Sequence, residues 1–75
     1  MPKFQFTLTL ADITEITPQG VEALYDAGCN DAKVVSKDGS VELDFARQAL
    51  GISAAIRSAI RDIRKAGFEV LADDD

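Results

Sequence analysis

An α+β domain is predicted by three features of this 75-residue sequence. Phe4, Phe6, Leu8 and Leu10 alternate with Gln5, Thr7 and Thr9, the period-two mark of a strand with one buried face. Asp38-Gly39 stands between two runs rich in β-branched residues. That is a strong signal for a two-residue hairpin turn, because both turn residues need positive φ. Two stretches of helical periodicity, closing on Ala27-Gly28 and Ala66-Gly67, each lead into a further apolar run. The length leaves room for one core, so residues 1–75 are read as a single domain.

The elements follow in order. The strand at 4–10 runs into a connection, 11–16, that carries Asp12 and Glu15. Thr17-Pro18 reads as N-cap and first helical residue, since proline has no N–H to lose there. Val21, Leu24 and Tyr25 fall on one side of this helix and Glu22 and Asp26 on the other, with Gly28 as its left-handed terminator. Strands at 32–36 and 41–45 then pair through the Asp-Gly turn. The turn sets Lys37 opposite Ser40, Val34 opposite Leu43 and Lys33 opposite Asp44. Val41, Leu43 and Phe45 point inward, Glu42 and Asp44 outward. A second helix is expected from an N-cap at Ser53 to Gly67. Ile52, Ile56, Ala59, Ile60 and Ile63 fill its inner arc, and Arg57, Arg61, Arg64 and Lys65 the adjoining one. Residues 68–72 read as a last short strand, and 73–75 as an acidic tail. The order β-α-β-β-α-β, wound as two right-handed halves, predicts a ferredoxin-like sandwich. Its four-stranded antiparallel sheet has the order 4-1-3-2, with both helices on one face.

Charge and residue types narrow the function. The formal net charge of −5 argues against direct nucleic-acid binding, which calls for an excess of Lys and Arg. No apolar run approaches the roughly 20 residues of a membrane span, and no secretory signal is expected. A single cysteine, Cys29, and no histidine exclude a Cys/His zinc site and suit a reducing cytoplasm. No cofactor, metal site or catalytic constellation is expected, so the chain is read as a non-enzyme. Asp12 and Glu15 are expected to be solvated rather than to hold a cation. Cys29 follows a helix C-terminus and is read as a buried or incidental thiol.

With both helices on one face, the other face is bare. Across the expected order it carries Glu69 and Leu71, then Gln5, Thr7 and Thr9, then Glu42 and Asp44, then Lys33 and Val35. It lacks the aromatic side chains on which RNA-binding sheets of this topology stack bases. Residues 1–46 hold eight carboxylates against three lysines, whereas 47–67 hold five basic groups against Asp62 alone. A negative face is therefore expected, formed by Glu42, Asp44 and Glu69 with Asp12 and Glu15 beside it. Either it is simply solvated or it meets a basic partner, with faster encounter as the gain. Arg57, Arg61 and Arg64 form a secondary basic stripe that pairs with Glu22 and Asp26, stays in water or grips an anion.

Four stretches carry a resemblance. They are Phe4-Gln5-Phe6-Thr7-Leu8-Thr9-Leu10, Ala27-Gly28-Cys29-Asn30-Asp31-Ala32, Val41-Glu42-Leu43-Asp44-Phe45 and Ser58-Ala59-Ile60-Arg61-Asp62-Ile63. In these the chain resembles a group of very short bacterial and phage proteins, and looks most like phage-encoded anti-CRISPR inhibitors of type I-C systems. The resemblance implies a small monomeric inhibitor without enzymatic activity, working in the host bacterial cytoplasm. It also implies binding to the multi-subunit surveillance complex and obstruction of target DNA. A carboxylate-bearing face acting as a DNA mimic fits a channel lined by Lys and Arg. The alternative is an antitoxin-like or regulatory interaction module, dimeric through an edge or a bare face, with Val35 and Leu71 as its apolar contacts.

Overall fold

Strand β1 (Lys3–Thr9), helix α1 (Pro18–Asp26), strands β2 (Ala32–Lys37) and β3 (Ser40–Gln48) and helix α2 (Ile52–Lys65) follow one another. They are seen in a computed structural model that describes residues 1–71. The strands make an antiparallel sheet with β3 in the middle, in the order β1-β3-β2. Asp38 (φ 52°) and Gly39 (φ 79°) form the hairpin turn. Lys37 lies opposite Ser40, Val34 opposite Leu43 and Lys33 opposite Asp44, the register expected from the turn. On the other side of β3, Phe6 lies opposite Phe45 and Thr7 opposite Asp44.

That alternation buries Val41, Leu43 and Phe45. They join Leu24 of α1 and Ala59 and Ile63 of α2 in one core cluster that also holds Leu10, Cys29 and Ala32. Both helices therefore pack on the face to which Val41, Leu43 and Phe45 point. The Phe6 and Phe45 rings stack with centroids 5.2 Å apart and planes at 14°, a contact worth about 0.5–1.5 kcal/mol beyond the area it buries.

α1 begins as expected. The Thr17 side-chain oxygen accepts from the Gly20 N–H at 3.1 Å, and proline occupies the first helical position. Tyr25, however, is 44% exposed; Leu24 supplies the fully buried contact. α2 starts earlier than expected. Gly51, in extended conformation, is its N-cap, and its carbonyl accepts from the Ala55 N–H at 3.0 Å. Ser53 is thus inside the helix. The buried stripe is Ala55, Ala59, Asp62 and Ile63, which leaves Ile52 exposed and Ile56 and Ile60 at the margin.

Among the described residues, the expected fourth strand shows a single bridge, Leu10 to Val70. The Phe68 N–H donates to the Ile63 carbonyl (3.2 Å) in closing α2, so pairing starts only at Glu69. Its carbonyl accepts from the Ala11 N–H at 2.8 Å, and the Leu71 N–H donates to the Thr9 carbonyl at 2.7 Å. Ala72 and the tail at 73–75 lie outside the described residues. None of the described helices is long and apolar enough to cross a membrane.

Candidate functional site

The uncovered sheet face is set by strand parity. Thr7 and Asp44 lie opposite each other, as do Asp44 and Lys33, and Glu42 lies between Thr9 and Val35. Asp44 is exposed and Glu42 half-buried. The Thr7 hydroxyl donates to Asp44 Oδ1 at 2.8 Å, which fixes the carboxylate. Lys3 and Lys37 have the same parity as Gln5 and Val35, so the face holds Lys3, Lys33 and Lys37 as well as its two carboxylates. It is mixed in sign rather than uniformly anionic.

The other expected site residues make contacts of their own. Glu69 Oε1 is 3.3 Å from Arg64 Nε on α2, which ties it to the basic stripe and not to Glu42 and Asp44. Both partners are well exposed, so the pair contributes about 0–1 kcal/mol. Arg61 Nε lies 3.6 Å from Asp62 Oδ1, and Arg57 is in none of the ion pairs among the described residues. Glu22 and Asp26 are likewise unpaired with α2 arginines among the described residues. Asp12 (φ 65°) and Glu15 are exposed in the connection before α1, the left-handed conformation being one that Asp tolerates better than most residues.

A stretch without basic side chains stands out once the helices are placed. Between Lys3 and Lys33 there is no Lys or Arg, but there are Asp12, Glu15, Glu22, Asp26 and Asp31. Four of these are exposed, two in the connection and two one turn apart on α1. The connection and α1 are therefore the longest part of the described chain without a basic side chain of its own, with Lys65 of α2 lining a depression shared with Asp26. Glu22 and Asp26 were legible as the outer side of a helix, but only the uneven placement of lysines marks them as part of a patch.

The densest polar arrangement was not anticipated from the sequence at all. Arg47, at the end of β3, is only 8% exposed. Its Nε donates to Asp31 Oδ2 at 2.7 Å and its Nη2 to Asp31 Oδ1 at 3.0 Å, a two-point grip suited to a planar guanidinium. Nη2 also donates to the Gly28 carbonyl at 2.9 Å. Nη1 donates to Ser58 Oγ at 3.0 Å and lies 3.2 Å from Asp62 Oδ2. Four guanidinium N–H groups thus donate hydrogen bonds, and the ion pair with Asp62 lies against the same end. Arg47 also sits 5.0 Å from the centre of the Phe45 ring. An open depression of about 520 Å³ lies beside this centre, but the guanidinium is taken up by these partners. The hydrogen bonds and carboxylates hold Arg47 firmly protonated. The centre joins β3, the α1–β2 connection and α2.

Cys29 lies close by and is fully buried. Burial chiefly, and the Asp62 carboxylate next, push its thiol up to about 11, against the opposing pull of Arg47. A thiol this protonated is a poor nucleophile. Labelling of the native chain at pH 8 is expected to run at least about a hundredfold slower than for a free thiol, because it must wait for opening. Labelling at the free-thiol rate would contradict the burial. Because the folded thiol keeps its proton above the ordinary thiol value of about 9, this contribution to stability is complete below that pH. It is expected to fall between about 9 and 11, by at most about 1.4 kcal/mol per pH unit.

No protein-family model, curated protein or solved structure matches this chain.

Proposed function

We propose that this chain is a non-enzymatic binding module that sets its α1-side carboxylates against a basic, nucleic-acid-binding surface of a larger protein and blocks that surface. The observation that carries this reading is the run from Phe4 to Ala32 without a basic side chain, which leaves Asp12, Glu15, Glu22 and Asp26 exposed. Carboxylates spaced along a folded element can replace phosphates on a lysine- and arginine-lined channel and displace its counterions. Glu42 and Asp44 take a secondary part, because three lysines share their face. The resemblance to anti-CRISPR inhibitors supports the type I-C surveillance complex as the partner to test, with its DNA channel as the blocked surface.

The test is capture of a purified type I-C complex by the chain, followed by competition with target DNA. Capture that weakens with added salt is expected. Asp12→Lys, Glu15→Lys and Glu22→Lys combined are expected to weaken it at least about tenfold, and Glu42→Lys with Asp44→Lys less. Absence of capture, or capture indifferent to both sets, overturns the reading; the opposite ranking moves the contact to the sheet face.

A further inference from the structure

α2 carries two neighbouring rows of side chains, each with the i, i+4 spacing of a helix ridge. Ile52, Ile56 and Ile60 form one row; Arg57, Arg61 and Lys65 form the next. The three basic residues are exposed, and Ile56 and Ile60 are half-buried. At the N-terminal end the apolar row opens to water: Ile52 is 43% exposed and Leu50, just before the helix, 86%. No Asp or Glu falls between Asp44 and Asp62, and the largely buried Asp62 lies against Arg47. Glu69 meets Arg64 and Asp26 shares a depression with Lys65, both at the C-terminal end of α2. The N-terminal half is therefore apolar and cationic together. Leu50 lies past Gln48, the partner of Lys3, whereas Leu71 bonds to Thr9, about 20 Å further along the strand. Residues 72–75, at most about 14 Å long when extended, end short of it.

We propose that α2 and the Leu50 turn dock on the surface of an anionic lipid bilayer, with Leu50 and the isoleucine row dipping among the head groups and Arg57, Arg61 and Lys65 meeting lipid phosphates. The pairing of an apolar row with a basic one selects this occupant, because a charged bilayer surface rewards both. A nucleic-acid backbone would use the arginines but gain nothing from an exposed leucine and isoleucine. A two-fold contact with a second copy would set Arg57 and Arg61 against themselves. The net charge of −5 does not decide the sign at this end, since at about 0.15 M salt charges beyond roughly 8 Å are screened. Docking uses α2 and not the α1-side carboxylates, so it stands independently of the function proposed above.

Flotation of the full chain with vesicles of phosphatidylglycerol and phosphatidylcholine in equal parts, against phosphatidylcholine alone, tests this. Partition at least about tenfold stronger onto the anionic vesicles is expected, falling as salt is raised. Arg57→Gln with Arg61→Gln is expected to weaken it at least about tenfold. Leu50→Ser with Ile52→Ser is expected to weaken it at least about threefold. All four side chains are exposed, and far-UV circular dichroism reports that the fold survives. Lys33→Gln with Lys37→Gln, on the sheet face turned away from α2, is expected to change partition by less than about twofold. Absent partition, or equal partition onto both vesicle types, overturns the proposal, as does anionic partition indifferent to the arginine changes. So does a loss with the arginines and none with Leu50 and Ile52, which leaves a plain polyanion surface; retention of a DNA duplex at the same salt then makes nucleic acid its partner.

Discussion

Arg47→Met is expected to lower stability by about 3–5 kcal/mol, because it removes the positive partner and leaves Asp31 and Asp62 facing each other in a largely desolvated centre. A domain of 75 residues has a total stability of only about 4–11 kcal/mol. The change therefore takes most of the margin, and the urea midpoint is expected to collapse while the slope stays constant. Arg47→Lys is expected to recover only part of the loss. An ammonium cannot bridge Asp31 at two points while also reaching the Gly28 carbonyl, the Ser58 hydroxyl and Asp62. The interpretation has an internal control. Combining Arg47→Met with Asp31→Leu and Asp62→Leu removes charges and partners together, and such replacements of buried ion groups are often neutral or stabilising. The triple variant is therefore expected to be more stable than Arg47→Met alone. A loss below about 1 kcal/mol for Arg47→Met would place the centre in water, as for exposed pairs.

What could be read beforehand divides along the range of the interactions. The hairpin register was legible because Asp38-Gly39 restricts the turn and a slip by one residue would expose Val41, Leu43 and Phe45. The Thr17 cap was legible because capping acts within three residues. Arg47 was not. In the sequence pattern the inward alternation of Val41, Leu43 and Phe45 ends where an arginine interrupts it, whereas the pleat continues and turns that arginine inward too. Its partners lie 16, 11 and 19 residues away, at Asp31, Ser58 and Gly28, and no local pattern announces such a pairing. Three of them, Gly28, Asp31 and Ser58, together with Asp62, belong to the stretches on which the resemblance was drawn. On the surface, parity placed Glu42 and Asp44 on the bare face, but it also places Lys3, Lys33 and Lys37 there. Glu69 alternates with the core-packed Val70, but at the rim of the sheet its long side chain meets Arg64 of α2.

Gly28→Ala is expected to be the most damaging of the glycine substitutions, at about 2–4 kcal/mol, because two separate effects coincide. The backbone at Gly28 has φ +119°, outside the range that a residue with a Cβ adopts without strain. A Cβ built there would also come within 2.7 Å of Asp62 Oδ2, the same oxygen that lies 3.2 Å from Arg47 Nη1. To make room, Asp62 must turn away from the guanidinium, so a single methyl group loosens the buried centre as well as straining the end of α1. Gly39 and Gly67 also have positive φ but open space around the missing Cβ, so their alanine variants report the backbone effect alone, about 1 kcal/mol each. The excess at Gly28 is then the part that acts through Asp62. In an Asp62→Ala background the carboxylate is gone, and Gly28→Ala is expected to cost no more than Gly67→Ala. If thermal or urea unfolding shows the full excess persisting there, the coupling between this glycine and the arginine centre is refuted, and the strain lies in the backbone alone.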